Sequence, residues 1–127
     1  MRVLLPILFA LIAVACAGPA ATPTPAPPTP SSPTPAPLSV ELSDFKIDPV
    51  QLEATAGVVV LSVTSSGPTP HNLTVRDQDD AVVLASDDLS AGEADVVEGA
   101  LASGQYVLFC SFAGHESLGM RATFTVT

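Results

Sequence analysis

Between residues 19 and 37 the chain contains only Pro, Ala, Thr and Ser, with close to every second residue a proline. Proline has a fixed φ and no amide donor, so such a stretch can enter neither a helix interior nor a sheet ladder. Its small side chains cannot build a core either. It is expected to be an extended, polyproline-like spacer, which at about 3.1 Å per residue would reach roughly 60 Å. Whatever folds must therefore lie in residues 38–127, enough chain for one domain and too little for an enzyme with a cleft between two.

Ahead of the spacer, residues 1–15 read as Arg2 followed by an apolar run from Val3 to Ala15. One positive charge, a short apolar core and small residues at the end are the layout of an export signal. The run is shorter than the ~20 residues a helix needs to cross a hydrocarbon core. Ala13-Val14-Ala15-Cys16 resembles a bacterial lipobox, with Cys16 expected to be lipidated and to begin the mature chain. Cleavage at an ordinary Ala-x-Ala site is the alternative. Residues 16–37 are then a lipid-anchor Cys plus a linker whose threonines could carry O-glycans. The expected location is the outer face of the cell membrane or the periplasm.

Within 38–127 the pattern is β throughout. Val40 and Leu42 alternate with polar neighbours, Val58 to Val63 is a β-branched run, and Leu73 and Val75 alternate again. Further runs cover 81–85, 95–98, 105–110 and 120–127, punctuated by Gly57, Gly67-Pro68, Asp79-Asp80, Gly92, Gly104 and Gly119. Seven or eight short strands at such spacing predict an all-β, antiparallel Greek-key sandwich. All the acidic residues of a chain with 13 Asp and Glu against 4 Lys and Arg fall here, leaving a net charge of −9. No basic face is available for phosphate, so nucleic acid is excluded as a partner.

Residues that can ligate metal are scarce, which makes them informative. The whole chain has two His, two Cys and two Met. Three of them stand together as Cys110-x4-His115-x4-Met120, and His71 follows the turn Gly67-Pro68-Thr69-Pro70. Singly, each has a bland explanation: a buried Cys is usually a small hydrophobe, and a His after Pro is often a surface turn residue. Cys16 and Cys110 could in principle form a disulfide, but only by folding back across the proline spacer. Together the residues are a soft donor set, and two His, one Cys and a weak axial Met make an electron-transfer copper site. Strand parity supports this. His71 shares phase with Leu73 and Val75, Cys110 with Leu108 and Tyr106, and Met120 with Ala122, Phe124 and Val126. All three phases point into a sandwich core, while His115 can fold back on the loop Ser111–Gly119.

The Cys110-Ser-Phe-Ala-Gly-His115-Glu-Ser-Leu-Gly-Met120 loop, with Phe45-Lys-Ile-Asp-Pro49, Ala56-Gly57 and Pro70-His71-Asn72, resembles the cupredoxin family of small blue copper proteins. Its loop spacing is most similar to auracyanin and rusticyanin, and the resemblance covers essentially all of 38–127. It implies one type 1 copper ion with His71, Cys110 and His115 as equatorial ligands and Met120 as the distant axial one. It also implies that Asn72 ties the two ligand loops together and sends its amide to the Cys110 sulfur. Phe112, not being proline, could supply a second amide there.

Such a site has no open position for substrate, so an electron carrier is expected rather than an enzyme. Electrons would pass at His115 through an apolar patch of Phe112, Pro68, Ala113, Gly114 and Leu118. The implied partners are redox proteins such as c-type cytochromes or a membrane oxidase or reductase, with the carrier a monomer. Asp77, Asp79, Asp80, Asp87 and Asp88 form a solvated face able to steer a basic partner. The rival is a copper chaperone or store supplying an exported copper enzyme, but such proteins favour exposed Met- and His-rich clusters. Sites needing three or more imidazoles cannot be built in one copy, and a binuclear centre would need a second Cys where Gly114 stands.

Overall fold

The computed structural model describes residues 35–127. The expected export signal, Cys16 and the spacer up to residue 34 lie outside the described residues. Among the described residues no helix is long and apolar enough to cross a membrane.

Nine strands form: β1 (Leu38–Ser43), β2 (Lys46–Asp48), β3 (Gln51–Ala54), β4 (Gly57–Ser65), β5 (Thr74–Arg76), β6 (Val82–Ala85), β7 (Ala94–Leu101), β8 (Gly104–Phe109) and β9 (Arg121–Val126). They build two sheets, ordered β2-β1-β4-β7 and β3-β9-β8-β5-β6. The sandwich is as expected, but two of the strands are not. β2 and β3 have three and four residues, with one buried apolar side chain each, Ile47 and Leu52. That is too short for alternation to register. Each sheet has one parallel pair, β1 with β4 and β3 with β9, so the sheets are mixed rather than purely antiparallel. The chain changes sheet between β2 and β3, where the Asp48-Pro49 bond is cis.

The core is one cluster between the sheets, with Leu42, Ile47, Leu61, Leu73, Val75, Leu108, Met120 and Phe124 wholly buried. The parity argument is met most cleanly in β1 and β9. Val40 and Leu42 of β1 are buried, Ala122, Phe124 and Val126 of β9 follow suit, and their odd-numbered neighbours Arg121 and Thr123 are exposed. β4 is buried at three successive residues, Val59 to Leu61, as suits a strand internal to its sheet. At the seam between sheets, a side chain on Gly99 of β7 would collide with Leu84 of β6, so glycine permits that close approach.

Candidate metal centre

Four element ends meet at one end of the sandwich: the β1–β2 turn, the loop after β4, the last residue beyond β8 and the first before β9. His71 lies on the loop after β4, pinned to Leu89 by an isolated bridge. Its amide donates to the Leu89 carbonyl at 2.9 Å, and its own carbonyl accepts from the Leu89 amide at 2.7 Å. Cys110 follows β8 and donates its amide to the Met120 carbonyl at 3.2 Å, which locks the two ends of the ligand loop together. Between them the chain winds into tight turns, with the His115 amide on the Phe112 carbonyl and the Met120 amide on the His115 carbonyl, both at 3.1 Å. Gly114 takes φ 83° there, a backbone shape that most side chains disfavour. His71, Cys110 and Met120 are buried, and His115 is half-buried.

One donor atom from each of His71, Cys110 and His115 lies within 4.8 Å of the other two. His71 Nδ1 is 3.3 Å from His115 Nδ1, which is 3.6 Å from Cys110 Sγ. A first-row ion held at about 2.0 Å from nitrogen and about 2.3 Å from sulfur in a trigonal plane sets such atoms about 3.5–3.7 Å apart. The spacing thus fits one ion. So does the chemistry: with the His71 Nε2 proton committed to a carboxylate on its other side, Nδ1 presents a lone pair to a second imidazole and a thiol. Lone pairs converging in a buried pocket are unfavourable unless a cation or proton lies between them. With Met120 buried behind them, the two imidazoles, the thiol and the thioether are the donor group of a type 1 copper site.

Asn72 does join the two ligand segments. Its Oδ1 accepts from the Ser111 amide at 2.9 Å, and its Nδ2 donates to Asp88 Oδ1 at 3.0 Å. Phe112 lies beside His115, with ring centroids 5.6 Å apart, and Pro68, Ala113, Gly114 and Leu118 are exposed. Several acidic residues are structural as well as solvated. Asp77 accepts from the amides of Asp79 and Ala81, both at 2.9 Å, and so shapes its own turn.

Two groups of site residues escape sequence reasoning. The first is the β1–β2 turn, where Asp44 and Phe45 link Ser43 to Lys46 and Phe45 takes a left-handed φ of 59°. The turn touches both ligand histidines: Asp44 Oδ1 is 3.1 Å from His71 Nε2, and the Phe45 ring stands edge-on to His115 at 5.6 Å. Thr69 Oγ1 donates to the same Asp44 oxygen at 2.6 Å. Hydrogen bonds from Thr69, then from His71, hold the Asp44 carboxyl below its usual range. The second group clamps the ligand loop from outside. Glu116 accepts from Arg76 Nη2 at 2.6 Å and from Arg121 Nη1 at 2.9 Å, while the Arg76 guanidinium lies 4.3 Å from the centre of the Phe109 ring. Hydrogen bonds from Arg76 lower the Glu116 carboxyl, and that carboxylate in turn raises the Arg76 guanidinium. Charge pairing across three elements is not legible in the sequence, because strand register decides which charges meet.

Several solved structures share this shape. Auracyanin B superposes with a TM-score of 0.68 at 24% identity, covering 76% of this chain and 93% of its own. The dithionite-reduced auracyanin of Roseiflexus castenholzii gives 0.65 at 16%, covering 72% and 96%. An azurin from Methylomonas sp. strain J gives 0.63 at 17%, covering 72% and 97%. These likenesses establish the sandwich. No curated protein matches the chain. The Cupredoxin-like domain family matches residues 6–126, and with the donor set in place the chain belongs to that family of small electron carriers.

Proposed function

We propose that the protein is an exported, membrane-tethered blue copper protein that shuttles single electrons between redox proteins. The observation that carries this is the closed donor set: His71 Nδ1, His115 Nδ1 and Cys110 Sγ within 4.8 Å of one another, with Met120 buried alongside. Copper bound there would supply the one-electron Cu(I)/Cu(II) couple. The residues supply the rest. His71 and Cys110 are fixed by backbone hydrogen bonds, so the pocket holds one shape in both oxidation states and little must move with the electron. The amide hydrogen bonds to the Cys110 sulfur expected from Asn72 and Phe112 are not formed; among the described residues Sγ meets only His115 Nδ1, at 3.6 Å.

Half-buried His115 is the ligand nearest to solvent, and Phe112, Pro68, Ala113, Gly114 and Leu118 around it make the proposed exchange patch. Phe45, 42% exposed, extends that patch. Small apolar patches of this kind suit brief encounters with another redox protein. The tether is proposed from Cys16 and the spacer, and the location from the export signal: the outer face of the membrane or the periplasm.

Adding Cu(II) to the protein should produce an intense visible thiolate-to-copper band that is abolished in Cys110→Ser. A colourless product would overturn the reading. Reversible one-electron cycling without metal loss then separates a carrier from a chaperone, which should surrender Cu(I) to a competing chelator on reduction.

A further inference from the structure

The fully buried ligand His71 turns its outward nitrogen, Nε2, to a carboxylate: Asp44 Oδ1 stands 3.1 Å away. The carboxylate is held from several sides. Thr69 Oγ1 donates to the same oxygen at 2.6 Å. A Cβ on Gly67 would come within 2.6 Å of that oxygen, 2.9 Å of the Asp44 amide nitrogen and 2.9 Å of His71 Nε2, so only glycine lets the three groups close up. The turn that carries Asp44 is itself anchored, since the Phe45 carbonyl packs where a side chain on Gly119 would lie.

Resting on the blue copper reading above, we propose that Asp44 is a positioning residue that tunes the metal centre: its carboxylate on His71 Nε2–H favours the oxidised ion and lowers the reduction potential. Two physical effects have the same sign. A carboxylate accepting the Nε2 proton makes Nδ1 a stronger donor and fixes the ring's tautomer and direction. The centre also carries one more positive charge when oxidised, and a fixed negative charge one residue away stabilises the more positive state. Asp44 is 35% exposed at its side chain, so solvent screens part of the second effect. It does not screen the first, which acts through a ring with no exposure.

The test is voltammetry of the copper-loaded full-length protein beside Asp44→Asn, with the visible spectrum recorded for each. Asparagine keeps an oxygen for His71 Nε2–H and removes the charge. The expected result is a retained blue band and a potential raised by about 59 mV, a tenfold change in relative affinity for the two oxidation states. A retained band with an unchanged or lowered potential overturns the proposal. A wild type that gives no blue band overturns the copper reading instead. Should Asp44→Asn not hold copper, Thr69→Val decides. It takes one donor from the carboxylate and also removes the hydroxyl 3.3 Å from His71 Nε2, so that the ring proton turns wholly to a more charged Asp44, and is expected to lower the potential, whereas no shift or a rise overturns the proposal.

Discussion

Gly67 is the residue on which the close approach of Asp44 to His71 depends. Its substitution by Ala forces a methyl group against the Asp44 carboxylate, the Asp44 amide and the His71 ring at once. The expected loss is roughly 1–3 kcal/mol, as for other overpacked sites. Urea denaturation of Gly67→Ala should show it as a lower midpoint at an unchanged slope. Copper should also be retained less well, since both displaced groups support one ligand. At this scale of single residues, the four donors were legible in the sequence because they are rare. With two His in the chain and one Cys and one Met in the foldable part, spacing and strand parity had few choices to test. Asp44 was not legible for the opposite reason. It is one of 13 acidic residues, and only the pairing of β1 with β2 and β4 brings it to a histidine far along the chain.

At the scale of elements, long strands were readable and short ones were not. β4, β7, β8 and β9 carry enough alternation or β-branched sequence to declare themselves. β2 and β3 each have a single buried apolar residue, and their identity as strands comes from partners elsewhere, β1 and β9. The ligand loop shows the same limit. Its Cys, His and Met were visible, but its clamp was not, because Arg76 of β5 reaches Glu116 only through the pairing of β5 with β8 and β8 with β9. Arg76 is largely buried, with 18% of its side chain exposed. Arg76→Met keeps the apolar stem and removes two charge-assisted hydrogen bonds to Glu116 and the stacking on Phe109. A destabilisation of about 1.5–3 kcal/mol is expected, read as a fall in denaturation midpoint. The visible spectrum should broaden or shift if the clamp also fixes His115, one residue from Glu116.

At the scale of the whole molecule, the sequence expects the foldable part in residues 38–127, because proline forbids what β-strands require, and among the described residues the first strand begins at Leu38. The charge was legible as a sum but not as an arrangement. Asp77 builds its own turn, Asp80 pairs with Arg76, and Asp88 holds Asn72. The net charge of −9 nonetheless predicts how encounters depend on salt. Electron exchange with a basic partner such as cytochrome c should slow markedly as ionic strength rises, and exchange with an acidic partner should speed up. Stopped-flow kinetics at several salt concentrations checks both signs. For the proposed anchor, Cys16→Ala should move the protein from the membrane to the soluble fraction. A protein that stays with the membrane would show that the tether is something else.

The direction of β1 has a practical consequence. This six-residue strand starts at Leu38, where the proline-rich segment ends, and finishes at the turn that touches both ligand histidines. At about 3.3 Å per residue it sets the chain's entry about 20 Å from the metal pocket. β9 runs the opposite way, leaving the pocket after Met120 and ending at Val126, next to Thr127, whose carbonyl accepts from the Ala56 amide. Both ends of the domain therefore emerge at the pole opposite the redox centre. The domain of the described residues is polarised, with both chain ends at one pole and the donor set at the other. Attachment to an electrode through a C-terminal thiol would hold the centre far from the metal surface and give slow exchange. Adsorption through Phe45 and Leu118 would give fast exchange.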